Sequence, residues 1–408
     1  AAPRGGPDQI GQITDGLKAE IKDGIVYSPY PEIEIPMCSL YAVVEQSLLR
    51  FGDKAALVQH ADSFTYPEML SLLRRYSAGF QARGIGRGDR ITCCLSNTLE
   101  NFVALFGVIF AGATTILTEP VLTPDELTFQ VTDSASKYIL TDSENAPKFQ
   151  GLQTRADIKE LMVVGSWPGF FSVSAFQDIS DTSFKEVSVP DTRNEIAAIC
   201  YSSGTTGSPK AVEITHYSFI AGMMSLMKIR SQFCLECFRN LYGLSEALSP
   251  ACMPCWDETD FDNIGFPASS VQFKVVDVET GLPVGPYTTG ELHIKTPAVT
   301  RGYSRKTGTV SAVDENGWLA SGDLVYYNED GRFYYYERMK SLIKCLDYEV
   351  APCELEEILL SHPFVAEAVV VGVLHSEFGE VAKAFVVIKD SVCQGMSPTS
   401  EELQEFVA

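Results

Sequence analysis

The stretch Ile196-Ala-Ala-Ile-Cys-Tyr-Ser-Ser-Gly-Thr-Thr-Gly-Ser-Pro-Lys-Ala-Val-Glu-Ile-Thr215 decides how the rest of the chain is read. Two apolar runs flank a loop of Ser, Gly and Thr that closes on Pro209-Lys210. Gly204 and Gly207 carry no Cβ, so the backbone can turn its N–H groups toward one point. Ser202, Ser203, Thr205 and Thr206 add hydroxyl donors, and Lys210 adds a full positive charge. Donors gathered around an empty centre suit an anion, and a chain of phosphates fits best. The spacing is not that of a Walker A loop. Gly, Ser and Thr alone also make an ordinary turn between strands; the terminal Pro-Lys and the length of the string favour the cradle.

Composition sets the frame. A chain of 408 residues with 45% hydrophobic content predicts two or three soluble globular domains. A formal net charge of −22 excludes non-specific binding to nucleic acid or to an anionic membrane surface. A phosphate site in so acidic a protein must be locally positive, which places weight on a few lysines and arginines. The longest apolar run, Phe102 to Leu117, is too short and too interrupted by Gly107 and Gly112 to span a bilayer. The chain opens Ala-Ala-Pro-Arg-Gly-Gly without an initiator Met or a secretory pattern, which points to processing or an incomplete record.

Eleven cysteines in a chain of this size do not read as a secreted disulfide framework. Cys234-x-x-Cys237 and Cys252-x-x-Cys255, with 14 residues between them, have the form of a four-thiolate zinc site. The gap is shorter than in zinc ribbons and no turn glycines follow the thiols, so reduced, unligated cysteines are the better reading.

Upstream of the loop, strands alternate with helices. Leu40–Leu49 has helical spacing, Ala55–Gln59 reads as a strand, and Thr65-x-x-Glu68 opens a capped helix. Strand Ile91–Leu95 precedes a helix predicted to be capped by Asn97-x-x-Glu100, and strand Thr114–Leu117 follows. Thr123-x-x-Glu126 caps another helix, before strands Lys137–Leu140 and Leu161–Val164. Such alternation means βαβ units and a mainly parallel sheet with flanking helices. The loop then lies at a strand end, where α/β folds place ligands. After a helix at His216–Lys228 the texture changes to a β-rich subdomain, with strands at Val271–Val278, Glu291–Lys295, Leu324–Tyr327 and Phe333–Tyr336. A small α+β C-terminal domain follows Arg338, and a last helix opens at Thr399-x-x-Glu402.

Four separated strings occur in order: Tyr201 to Lys210, Tyr242-Gly-Leu-Ser-Glu246, Gly317-Trp-Leu-Ala-Ser-Gly-Asp323 and Glu337-Arg-Met-Lys-Ser-Leu-Ile-Lys344. With them the chain resembles the AMP-forming adenylating enzymes: acyl-CoA synthetases, 4-coumarate:CoA ligases, peptide-synthetase adenylation domains and firefly luciferases. The resemblance implies a lead-in at 1–23, an AMP-binding domain at 24–336, a hinge at Glu337 and a small domain at 338–408. It also implies an activity. A carboxylate, fatty or aryl, attacks the α-phosphorus of ATP to give an acyl-adenylate and pyrophosphate, and the thiol of CoA then takes the acyl group. The resemblance gives Ser202 to Lys210 the β- and γ-phosphates, Glu246 the Mg²⁺, and Ser245 the α-phosphate. It places Tyr242 and Gly243 at the adenine, Asp323 and Arg338 at the ribose, and Lys344 in the second half-reaction. It implies an intracellular setting, cytoplasm or peroxisome. Taken singly, Asp323 also reads as a turn residue, Glu246 as a solvated carboxylate at a helix start and Lys344 as a surface lysine.

The chain also departs from the family. Only 31 residues separate Lys210 from Tyr242, about what one βαβ unit needs, and the family's His-containing and Gly-rich segments are missing from that interval. This predicts an internal deletion near 229–240, with strands lost from the parallel sheet and a poorly packed middle. The chain stops at Ala408, before the family's late Gly-Lys pair. Loss of one such preorganised charge costs on the order of 10²–10³ in rate. Asp347 stands where the family has Gly. The expectation is therefore a ligase fold with impaired turnover; a non-catalytic nucleotide- or partner-binding protein, or a zinc-stabilised module, are the alternatives.

Overall fold

Thr65 and Thr123 each accept the backbone N–H of the glutamate three residues on, and that glutamate carboxylate accepts the threonine N–H in return. In this computed structural model, helices Tyr66–Ala82 and Pro124–Asp133 therefore begin where the sequence places them. The third box shifts by one residue: Thr98, not Asn97, caps helix Leu99–Phe110, and Glu100 accepts the Tyr76 hydroxyl instead. The structure describes residues 17–152, 157–202, 209–232, 241–253, 262–305, 308–346, 348–389 and 398–407.

The first half of the chain carries β1 (Glu20–Lys22), β2 (Ile25–Tyr27), β3 (Ala55–Gln59), β4 (Asp62–Thr65), β5 (Arg90–Cys94) and β6 (Thr114–Thr118). It continues with β7 (Tyr138–Asp142), β8 (Glu160–Val164), β9 (Phe171–Ser172), β10 (Ile196–Ser202) and β11 (Lys210–Thr215). The second half carries β12 (Tyr242–Gly243), β13 (Pro250–Met253), β14 (Phe266–Pro267), β15 (Gln272–Val276), β16 (Gly290–Lys295), β17 (Gly302–Arg305) and β18 (Gly308–Val310). Strands β19 (Leu319–Tyr327), β20 (Phe333–Arg338), β21 (Ile343–Cys345), β22 (Tyr348–Val350), β23 (Val365–His375) and β24 (Gly379–Ile388) follow.

A nine-stranded sheet, ordered β18-β17-β11-β10-β6-β5-β7-β8-β9, forms the body. From β10 to β9 every pairing is parallel. Ile91, Ile116, Ile139, Met162 and Ile199 are fully buried, because helices cover both faces of that part. Helices Tyr66–Ala82 and Leu99–Phe110 approach closely at Gly107, where a Cβ would come within 2.8 Å of Tyr76 Cβ.

Beyond β10 the sheet turns antiparallel through β11, β17 and β18. Among the described residues the nine strands are contiguous and β10 is the last parallel one. The described part of the 211–241 interval thus adds only the antiparallel β11 to this sheet, and β12, just after that interval, joins a separate sheet with β13 and β14. Apolar surface does show on helix His216–Gln232, where Leu226 and Met227 are half exposed.

The β-rich part is a six-stranded antiparallel sheet, β1-β2-β15-β16-β19-β20, closed over Phe273, Leu292, Ile294, Val325 and Phe333. Its outer strand lies in the stretch expected to be a loose lead-in. β1 pairs with β2, the Ala19 N–H donates to the Asp330 carbonyl, and Lys18 pairs with the Asp330 carboxylate. A four-stranded sheet, β22-β21-β24-β23, carries helices Pro352–Ser361 and Ser400–Val407 on one face and forms the small α+β unit. Among the described residues no helix is long and apolar enough to cross a membrane.

Candidate active site

Ser202 and Lys210 stand directly opposite each other, as the last and first residues of the antiparallel pair β10–β11. The Gly-rich string is thus the connection of a hairpin, and its two ends are held side by side by the ladder. Ser203, Gly204, Thr205, Thr206 and Gly207 lie outside the described residues.

The second string, Tyr242–Glu246, arrives through a short hairpin of its own. β12 pairs with β13, and the chain then makes a single 3-10 turn at Ser245–Ala247. The Thr300 N–H donates to the Glu246 carbonyl at 2.7 Å and fixes that turn. Glu246 Oε1 accepts the Ser202 hydroxyl at 3.2 Å and the Tyr303 hydroxyl at 3.1 Å. Lys210 Nζ sits 4.9 Å from the centroid of the Tyr303 ring, a cation–π contact.

These groups face a cavity of about 440 Å³ whose walls include Ser202, Lys210, Gly243, Ser245, Glu246 and Arg338. Glu291, Tyr303 and Lys340 also line it. Partial desolvation, together with the charges of Lys210 and Arg338, lowers the Lys340 ammonium pKa from its ordinary value. Three cations, Lys210, Arg338 and Lys340, thus gather with two carboxylates, Glu246 and Glu291, around one pocket in a chain of net charge −22.

Asp323 is fixed beside this pocket. It follows Gly322, which takes a positive φ of 75° within β19, and it faces Arg338 across the β19–β20 ladder. The Tyr242 hydroxyl donates to Asp323 Oδ2 at 2.7 Å, and Arg338 Nη1 lies 3.2 Å from Oδ1. The Arg338 contact is an ion pair without hydrogen-bond alignment: among the described residues, buried Oδ1 has no hydrogen-bond partner. Burial raises the Asp323 pKa above the usual carboxylate value, although Tyr242 and Arg338 oppose the shift. Burial, then the Asp323 charge, raises the Tyr242 phenol, which therefore stays a donor.

Not every expected residue converges. Lys344 lies on β21 in the small unit, where its N–H donates to Glu380, and it is not part of the cavity wall. Glu337 accepts from the N–H groups of Arg338 and Cys353, so its carboxylate ties β20 to the start of helix Pro352–Ser361. Cys252 is fully buried in β13 and donates to the Gly265 carbonyl; burial raises its thiol well above the ordinary value. It lies among the apolar residues of the β-rich core, with Ala251, Met253 and Phe273. Cys234, Cys237 and Cys255 lie outside the described residues. Lys340 and Tyr303 escaped sequence reading: the first stood unassigned inside the string Glu337–Lys344, and the second reaches the site only through the pairing of β17 with β11.

The AMP-binding enzyme model matches residues 44–236 and 225–304, and the AMP-binding enzyme C-terminal domain model matches residues 354–408. The chain belongs to the AMP-binding enzyme family. By family it is an AMP-forming ligase whose reactants are an acid, ATP and CoA, with Mg²⁺ as the usual metal. A long-chain-fatty-acid–CoA ligase of Bacillus subtilis (strain 168) is 25% identical over 504 residues, covering 92% of this chain and 89% of that one. A 4-coumarate–CoA ligase 2 of Oryza sativa subsp. japonica is 26% identical over 540 residues, covering 100% and 93%. Both alignments are longer than this 408-residue chain, and the AMP-binding match itself divides at 225–236. The ATP-bound MatB structure from Rhodopseudomonas palustris superposes with a TM-score of 0.77 at 20% identity, covering 90% of this chain and 91% of that one, which establishes the fold.

Proposed function

We propose that this AMP-binding enzyme keeps the nucleotide-holding half of an AMP-forming acid–thiol ligase and turns over weakly. The observation that carries the proposal is the buried, hydrogen-bond-poor Oδ1 of Asp323, set beside a cavity lined by Lys210, Arg338 and Lys340. A buried acceptor without a donor is costly, and a ribose hydroxyl would supply the donor. The three cations suit phosphates, with Lys210 and Ser202 presented from the hairpin ends and Arg338 beside the ribose carboxylate. Glu246 suits Mg²⁺. Among the described residues no cluster of three or more His, Cys, Asp or Glu side chains could cage a metal, and Mg²⁺ characteristically takes one or two carboxylates plus substrate phosphates. When bound, that ion neutralises charge on phosphate oxygens.

The residues then act by position and charge. Lys210 and Lys340 draw the phosphates toward Glu246, Asp323 orients the ribose, and the Tyr242 hydroxyl holds Asp323 in place. A fatty or aryl carboxylate attacking the α-phosphorus would expel pyrophosphate, and the CoA thiol would displace AMP from the adenylate. We place the domain boundary at Glu337, with 24–336 as the large domain and 338–408 as the small one.

Weak turnover is supported by the 31-residue interval between Lys210 and Tyr242, by alignments longer than the chain, and by the divided family match at 225–236. Lys344 stands apart from the cavity in this arrangement, so the thiol step also needs the small unit to move. ATP–pyrophosphate exchange with a panel of fatty and aryl acids, run beside ATP and AMP titration calorimetry, tests the proposal. Nucleotide binding with slow exchange is expected. Absence of nucleotide binding overturns the reading, and exchange at rates typical of enzymes overturns the weak-turnover part.

A further inference from the structure

Tyr303 touches two groups that the nucleotide reading assigns to different parts of the ligand. It sits on β17 opposite Val212 of β11, and Lys210 is two residues before Val212 on the same strand face. The Tyr303 ring consequently lies diagonally beside Lys210, with Nζ 4.9 Å from its centroid. The same side chain ends in a hydroxyl 3.1 Å from Glu246 Oε1. Glu246 receives the Ser202 hydroxyl on that oxygen too, so among the described residues both donors converge on Oε1 and leave Oε2 for a cation.

We infer that Tyr303 is a positioning residue that couples the phosphate-facing ammonium of Lys210 to the cation-facing carboxylate of Glu246. The inference rests on the nucleotide reading above. The ring face steadies Lys210 at the mouth of the hairpin, and the hydroxyl engages Glu246 Oε1, so that Oε2 would be the oxygen to hold a cation. Tyr303 supplies no charge itself: burial, reinforced by the neighbouring Glu246, keeps its phenol protonated. The two contacts are separable in chemistry, because phenylalanine keeps the ring and loses the donor, whereas leucine loses both.

The test is calorimetric titration of ATP into the full chain, with EDTA and then with Mg²⁺, for the wild type, Tyr303→Phe and Tyr303→Leu. Tyr303→Phe should bind ATP in EDTA as the wild type does and lose about 10-fold of the tightening that Mg²⁺ brings, the size of a hydrogen bond to a charged group. Tyr303→Leu should in addition weaken binding in EDTA by about 2- to 5-fold, the size of an exposed cation–π contact. Thermal melts identify any variant that is misfolded, and the conservative phenylalanine variant then carries the test. Equal affinities in all three proteins overturn the inference alone, and so does a loss in Tyr303→Phe that is the same with and without Mg²⁺, since that marks a merely structural role. A wild-type chain that binds no ATP overturns the nucleotide reading and this inference with it.

Discussion

The Tyr242 hydroxyl reaches across 81 residues of chain to donate to Asp323 Oδ2 at 2.7 Å, so two residues expected at different parts of the nucleotide form one unit. The carboxylate is 2% exposed, and burial holds its pKa above the ordinary value. Its charge therefore opposes folding at neutral pH while serving ligand binding. Asp323→Asn should leave the melting temperature unchanged or higher and weaken AMP binding by roughly 10- to 100-fold, measured by calorimetry. A variant that melts much lower but binds AMP normally would contradict this division of roles.

His216 gives a pH prediction of definite sign. Its Nδ1 accepts the Leu40 N–H at 3.2 Å, and burial lowers its pKa from 6.5 to about 4. The folded state thus resists a proton that the unfolded chain takes up below pH 6.5. Stability from this group is complete above pH 6.5 and falls as the pH drops toward 4, by about 3 kcal/mol in all. Urea unfolding of the wild type at pH 7 and pH 5 should show the loss, and His216→Gln should flatten it. Identical pH slopes in the two proteins would exclude His216 as the cause.

Gly107 marks a contact with no spare room. A Cβ there meets Tyr76 Cβ at 2.8 Å and the Phe80 ring at 3.4 Å, both on a helix packed in the core. Gly107→Ala should cost about 1–3 kcal/mol despite the better helix propensity of alanine. Denaturant midpoints decide it, and a gain in stability would show that the two helices can part at little cost.

Leu226 and Met227 are 48% and 49% exposed on helix His216–Gln232, inside the 211–241 interval that is short for the family. The wild type should therefore bind an apolar-surface dye, and Leu226→Ser with Met227→Lys should reduce that fluorescence by half or more without loss of melting temperature. Dye-free wild-type protein with a sharp transition at ordinary temperature would show that this face is covered in solution.

Much of the fold could be read locally. Capping boxes at Thr65 and Thr123 depend on contacts three residues apart, and the apolar strand runs reflect burial on both sheet faces. The Asn97 box failed because Thr98 offers a competing hydroxyl one residue later and Tyr76 claims Glu100. β1 was missed because its strand character comes from pairing with β2 and from Asp330 contacts with Ala19 and Lys18, not from its own three residues.

The division at the site has the same cause. Sequence alone determined the candidate groups: Ser202 and Lys210 through a donor-rich loop that suits an anion, and Glu246, Asp323 and Arg338 through four ordered strings that resemble the adenylating enzymes. Tertiary structure alone decided that Tyr242 serves Asp323, that Tyr303 joins Lys210 to Glu246, that Cys252 is a core thiol and that Lys344 stands apart. Those relationships are set by strand pairing and burial between segments far apart in the chain, which no local spacing encodes.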